Sequence, residues 1–120
     1  MSKKKAASHH CHAPGCDVVV PPKIFACRAH WFALPKQVRD AVWREYREGQ
    51  ERDKRPSRRY MAVQTLARAY LAFKPHDEAA AYVCANLTVA AKDFRRQAID
   101  AGDGDPFEPI ALPMVQELRE

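Results

Sequence analysis

The chain has no apolar run approaching the roughly 20 residues that a membrane-spanning helix requires. It also has no Gly-rich phosphate loop, no G-x-S-x-G and no H-E-x-x-H. Nothing in it argues for an enzyme, so the expectation is a non-catalytic protein with no membrane partner. No apolar signal-peptide core follows the basic opening Met1-Ser2-Lys3-Lys4-Lys5, which argues against export and for a cytoplasmic location. Internal repeats are absent. With 120 residues, about half of them apolar, the chain can build one domain with a modest core and is too short for two. Cysteine is scarce, at four residues. Three of the four are grouped with a histidine, which in a chain that is not exported favours a metal over disulfides.

That group is Cys11, Cys16, Cys27 and His30, in the pattern C-x4-C-x10-C-x2-H. Two ligand pairs with short internal gaps, joined by a longer connection, are what a tetrahedral zinc site needs. His12-Ala13-Pro14-Gly15 suits a tight knuckle that presents both thiolates of the first pair inward. Cys27-Arg28-Ala29-His30 fits one turn of helix, where residues three apart share a face. The expected cofactor is a structural zinc ion, because four protein ligands leave no open position for water. Its first task is to fold a segment too small to make its own core. His9, His10 and His12 crowd Cys11, and any of them could substitute as a ligand. His30 is preferred for its helical spacing from Cys27 and for Trp31 and Phe32 beside it, which can shield the metal. A Cys2His2 finger ends in two histidines three to five residues apart, and that ending is absent, so zinc alone gives no claim on DNA.

The expected fold class is mostly α: a small N-terminal treble-clef-like zinc module with a short β-hairpin, then three helices and a short C-terminal helix. Residues 1–10 read as a disordered basic tail, 11–34 as the zinc module, and 35–120 as a helical region packed with it as one domain. The hairpin is expected between the ligand pairs, from Val18-Val19-Val20 and Ile24-Phe25-Ala26. Pro35 opens a helix with Val38, Val42 and Tyr46 on one face, ending before Gly49. Gly49–Arg55 reads as a charged loop, and Ser57 as the N-cap of a helix to about Phe73, stopped by Lys74-Pro75. The longest element runs over 77–101 with Val83, Leu87, Ala90 or Ala91, Phe94 and Ala98 as its stripe, and Gly102 stops it. Asp103 to Pro106 is a turn. Ala111–Arg119 is a short terminal helix.

The net charge of +5 is unevenly spread. Residues 1–59 carry fourteen Lys/Arg against six Asp/Glu, and residues 60–120 carry six against nine. The first half therefore attracts a polyanion or an acidic protein surface. Much of the charge around Arg39, Arg44 and Arg47 has a local explanation as a salt-bridged solvent face, since Lys36, Asp40, Arg44 and Glu48 follow one another at spacings of four. Arg52-Asp53-Lys54-Arg55-Pro56-Ser57-Arg58-Arg59 is different, with five basic residues and one acid. Arg52, Lys54, Arg55, Arg58 and Arg59 are accordingly the candidate nucleic-acid or partner contacts, with Arg58 and Arg59 at a helix start that suits phosphate or carboxylate. Lys3, Lys4 and Lys5 could add a loose electrostatic arm. The remaining candidates read as structural: Cys84 as a core cysteine, Trp31 and Trp43 as core or metal-shielding rings, and Tyr60 and Tyr70 as packed residues. Asp103-Gly104-Asp105 is too short for a calcium loop.

The stretch Cys11-His-Ala-Pro-Gly-Cys16, Val20-Pro-Pro22, then Cys27-Arg-Ala-His30-Trp31-Phe32-Ala-Leu-Pro35 resembles a group of small phage and prophage proteins. These are similar in a C-H-x-x-G-C start, a V-P-P step, a C-x-x-H-W core and then L-P. Gly49-Gln50 and Arg55-Pro56-Ser57 with Tyr60 extend the likeness, which covers about residues 10–72. The group is mostly unassigned in function. The resemblance implies a zinc-binding phage accessory protein in the host cytoplasm, with Cys11, Cys16, Cys27 and His30 as ligands. The leading expectation is nucleic-acid binding. The rival is an interaction module, an inhibitor or adaptor that docks on a host or phage protein. The long helix beyond the matched region is a candidate surface for a homodimer.

Overall fold

The structure is a computed structural model and describes residues 9–53, 55–73 and 78–119, with the side chains of Glu51 and Arg52 set aside. The tail over 1–8, Lys54, the helix stop at Lys74-Pro75 and the expected helix entry at His76 and Asp77 lie outside the described residues. The chain is mostly helical. Strands β1 (His9–His10) and β2 (Val19–Val20) precede helices α1 (Arg28–Ala33), α2 (Lys36–Glu45), the single turn α3 (Gln50–Asp53), α4 (Arg58–Ala72), α5 (Glu78–Asp100) and α6 (Pro113–Leu118).

The hairpin forms, but with a different first strand. His9 pairs with Val20 and His10 with Val19, antiparallel. Residues 9 and 10 therefore belong to the ordered fold and not to a tail. Ile24-Phe25-Ala26 is not a strand. Pro21 and Pro22 cannot donate to a ladder, and the chain turns there, with the Ile24 amide donating to the Pro21 carbonyl at 3.0 Å. Phe25 contributes a single backbone link, accepting from the His12 amide at 3.1 Å. Cys11 and Cys16 thus lie in the loop that joins the two strands, and Cys27 and His30 follow the hairpin.

Helix α2 is three residues shorter than the spacing of its charges suggests. Its cap at Tyr46 donates back to Trp43 O, and the chain leaves through Gly49 at φ 90°. Glu48 is consequently off the helix. It pairs with Lys23 at 3.2 Å, and Arg44 takes the neighbouring Glu45 instead at 2.9 Å. The Lys36–Asp40 pair expected at i, i+4 is present at 2.8 Å. The expected loop after Gly49 contains the one-turn α3, closed by the buried Gln50, whose side chain accepts from the Arg47 amide at 2.9 Å.

Helix α4 is the centre of the molecule. Ser57 caps it, accepting from the Tyr60 amide at 3.0 Å. Ala62, Val63, Leu66, Ala67, Ala69, Leu71 and Ala72 are all buried, so apolar contact extends well beyond one face. The alanines are small enough for α5 to lie close along it, with α2 on the other side. Tyr70, expected to pack, is 37% exposed. Helix α5 turns Ala91, Phe94 and Ala98 inward and leaves Tyr82 and Val89 in solvent. It ends as a helix closed by glycine: Gly102 has φ 84°, and the Asp103 amide returns to Ala98 O at 2.8 Å.

One buried cluster joins the two ends of the chain. Cys11, Ala13, Phe25 and Ala26 share it with Leu34, Val38, Val42, Val63, Leu66, Phe107, Ile110 and Val115. Phe107 is wholly buried. It is held by Asp105, whose carboxylate accepts from the Phe107 amide at 2.9 Å and from Arg95 at 3.0 and 3.1 Å. Two arginines on one carboxylate also join α2 to α4: Glu45 accepts from Arg59 at 2.8 and 2.7 Å and from Arg44 at 2.9 Å.

Candidate metal centre

Three local devices converge on one point. The first is the knuckle after β1. The Cys16 amide donates to Ala13 O at 3.0 Å, and Gly15 takes φ 84° to complete the reversal. A side chain at Gly15 would meet nothing within 4 Å, so glycine is needed there for its backbone and not for space. The second device is the Ala13 amide, which points at Cys11 Sγ at 3.5 Å. The third is the start of α1. Cys27 is its N-cap residue, in extended backbone, and the Trp31 amide closes on Cys27 O at 2.8 Å. That turn brings His30 beneath the Cys27 thiol.

The ligand atoms of Cys11, Cys16, Cys27 and His30 all lie within 4.8 Å of one another, so the four residues could hold a metal ion. The ring nitrogen involved is Nδ1 of His30, 3.5 Å from Cys11 Sγ and 3.3 Å from Cys27 Sγ. A tetrahedral ion with thiolate and imidazole bonds of about 2.3 and 2.0 Å would place sulfur and nitrogen roughly 3.5 Å apart. The donor set therefore fits such an ion in size and in type. All three thiols are free of disulfides. Burial, the largest influence, raises the Cys11 pKa, whereas the His30 amide at the helix start is the main cause that lowers Cys27.

The other amino-terminal histidines are used elsewhere. His9 places its ring nitrogens against His10 O and Pro22 O at 2.8 and 3.2 Å. It stacks on His12 at 4.7 Å, and His12 lies over Phe25 at 5.0 Å. His12 is pushed down to about 4, first by desolvation and then by the charges of His9 and Arg68. Among the described residues only the Cys3His set forms a cluster of this kind.

The expected shield is half present. Trp31 is partly buried against the core, but Phe32 points outward and is 56% exposed. Trp43 is 45% exposed. It continues an edge-to-face row from Trp31 at 6.3 Å, through Tyr46 at 5.5 Å, to Tyr60. Arg28 and Arg39 both sit over the Phe32 ring, at 5.3 and 5.2 Å. Sequence spacing offered only half of that group. Arg28 and Phe32 are four apart on one helix, whereas Arg39 arrives from α2 after the Leu34-Pro35 break.

The basic segment 52–59 is more committed to the fold than its composition suggests. Arg59 is locked to Glu45 and also donates to Asp103 O at 3.0 Å. Arg58 reaches the Asp103 carboxylate at 3.7 Å. Arg55 is exposed, while its backbone amide binds Asp53 at 2.9 Å and its carbonyl accepts from Arg47 at 2.8 Å. The Arg47 guanidinium is the main cause holding Asp53 below the usual carboxylate range. The Arg52 side chain and Lys54 lie outside the described residues. Cys84 is half-buried and not in the core proper. It lines an apolar cleft of about 570 Å³ with Tyr70, Phe73, Thr88, Leu112 and Met114. No helix is long and apolar enough to cross a membrane among the described residues. Comparison with protein-family models, curated proteins and solved structures finds no match.

Proposed function

We propose that the chain is a non-catalytic zinc-binding accessory protein of phage origin that binds nucleic acid in the host cytoplasm. Zinc is the ion that suits three thiolates and an imidazole at tetrahedral spacing, and with all four positions filled its role is structural. The single observation that carries the reading is the convergence of the four ligand atoms. It builds an ordered lobe in the half of the chain where basic residues outnumber acids. Arg55 and Arg58 are the exposed described members of the expected contact segment, and the lysines near the start add to the same field. Binding through phosphates weakens steeply with salt, because contacts release counterions. The test is fluorescence anisotropy with a duplex, a single strand and an RNA at two salt concentrations, on wild type and on Arg55→Ala/Arg58→Ala. Failure of every probe at low salt ends the nucleic-acid reading. An unchanged affinity in the double variant removes the segment from it.

One observation favours the second reading, docking on a host or phage protein or on another copy. Helix α5 carries no charged residue from Ala79 to Ala91, although Tyr82 and Val89 on that stretch are 72% and 67% exposed. A helix face in water ordinarily carries charge. A partner captured from nuclease-treated lysate and lost on Tyr82→Lys supports this reading. Capture that persists in the variant removes α5 from it.

A further inference from the structure

We infer that the face built by α1 and α2 is a binding groove for single-stranded nucleic acid. The inference rests on the nucleic-acid reading above and moves its contact surface from segment 52–59 to the helix that carries His30. The groove, about 250 Å³, is floored by Ile24, Phe25 and Ala26 and walled by Trp31, Phe32 and Trp43, with Arg28 at its rim. Four features identify its occupant.

Two large rings of the groove stand in water, Phe32 at 56% and Trp43 at 45% exposure. A single exposed ring is ordinary, whereas a cluster over an apolar floor marks a contact surface. The cations at the groove have no acid of their own. Among the described residues neither Arg28 nor Arg39 forms an ion pair, and no acidic residue lines the groove. Arg39 is tethered by Leu34 O at 3.2 Å and so keeps its position beside Phe32 without being neutralised. The neighbouring acids on α2 are taken: Asp40 by Lys36 at 2.8 Å, and Glu45 by the inward-facing Arg59 at 2.7 Å.

Rings interleaved with unneutralised arginines match a strand with its bases unpaired. Each base has a flat face for a ring or a guanidinium, and each phosphate meets a cation. A duplex hides those faces and can use only the arginines. An acidic protein segment can neutralise the guanidiniums, but it fills the rings only where it also carries aromatic or apolar side chains, whereas every nucleotide brings a flat face and a phosphate together. That pairing favours an unpaired strand.

Trp31 and Trp43 are the two tryptophans of the chain, and both wall the groove, so the protein carries its own reporter. The experiment titrates the zinc-loaded protein with a short oligothymidylate, with a duplex of the same length and with inorganic polyphosphate, following tryptophan emission. The expected result is quenching by the single strand and little by polyphosphate at equal charge. Phe32→Ala and Trp43→Ala should each weaken single-strand binding about tenfold, within the range of one base–ring stack. Trp43→Phe should retain most of the affinity. Metal content should stay as in wild type in both; Trp43→Ala also gives up its edge contacts to Trp31 and Tyr46 and so lowers the melting temperature, and a variant that loses metal or unfolds at the assay temperature is replaced by Arg28→Gln or Arg39→Gln, each expected to reduce the salt slope by about one.

If no nucleic acid binds, the functional reading fails and takes this inference with it. If nucleic acid binds without quenching and Phe32→Ala and Trp43→Ala are neutral, the groove is excluded while the functional reading stands. Equal binding and quenching by polyglutamate overturns the groove in favour of an acidic protein partner.

Discussion

Glu45→Gln tests the joint that holds the helices together. The Glu45 side chain is 9% exposed and accepts three charge-assisted hydrogen bonds, two from Arg59 and one from Arg44. Glutamine keeps the shape, removes the charge and turns an amide nitrogen toward a guanidinium. Breaking a fully buried ion pair costs about 3–5 kcal/mol, and an exposed pair is worth about 0–1 kcal/mol. Arg59 and Arg44 are 25% and 38% exposed, so water recovers part of their solvation. The expected loss at pH 7 is therefore about 2 kcal/mol, between those limits. With a urea dependence of about 2 kcal/mol per molar, the midpoint falls by roughly 1 M. The sign of the pH dependence follows from Glu45 itself. Burial, the largest influence, would raise its pKa, but the bonds and charges of Arg59 and Arg44 hold it below 4.5. A carboxyl depressed in the folded state stabilises above its unfolded pKa, and that contribution is lost as pH falls through the folded value. The gap between wild type and variant should be full at neutral pH and shrink as pH falls below about 4.5, closing as it passes the folded-state value. Acid acts on the Cys3His cluster as well, but both proteins carry it unchanged, so that effect cancels in the difference. Urea melts across pH 3.5–7 decide the matter. A midpoint unchanged at pH 7, or a gap that stays constant into acid, refutes the assignment. The double variant with Arg59→Met should cost less than the two single changes summed.

Three further outcomes follow. Elemental analysis of the purified protein should give about one zinc per chain, and Cys27→Ser should lose it together with much of the helical circular dichroism; retained metal would reject the ligand. Gly104→Ala should lower stability by about 1–2 kcal/mol in a urea melt, because φ is +89° and the new Cβ would meet Arg59 Nη1 at 3.1 Å; no loss would mean that the turn relaxes. Phe107→Ala should cost about 3–5 kcal/mol by the same measurement, as a ring with no exposed surface leaves a cavity; a loss below 1 kcal/mol would show that the site collapses onto itself.

The helices were legible where sequence period and punctuation agreed. Ser57 and Gly102 marked ends that the structure keeps, and the apolar stripe of α5 faces inward at Ala91, Phe94 and Ala98. The Cys3His cluster was legible because thiol, imidazole and turn residues occur together at short range. What escaped was set by residues far apart in the chain. Phe107 follows a turn and has no role in the sequence pattern until Asp105 and Arg95 are seen to fix it. Arg59 reads as a free cation because Glu45, its partner, sits fourteen residues earlier on another helix. The hairpin's first strand was assigned to the tail, since His9-His10 has no β-forming composition; its order comes from pairing with Val19-Val20. The groove at Phe32 depends on Arg39 crossing a helix break, and no local spacing announces that.

The cysteine knuckle shares its interior with residues made much later in synthesis. Cys11, Ala13 and Phe25 belong to one buried cluster with Phe107, Ile110 and Val115, about ninety residues downstream. The knuckle therefore emerges before those apolar groups exist. Its interior is completed only when the segment around Phe107 arrives, so the amino-terminal lobe is packed late.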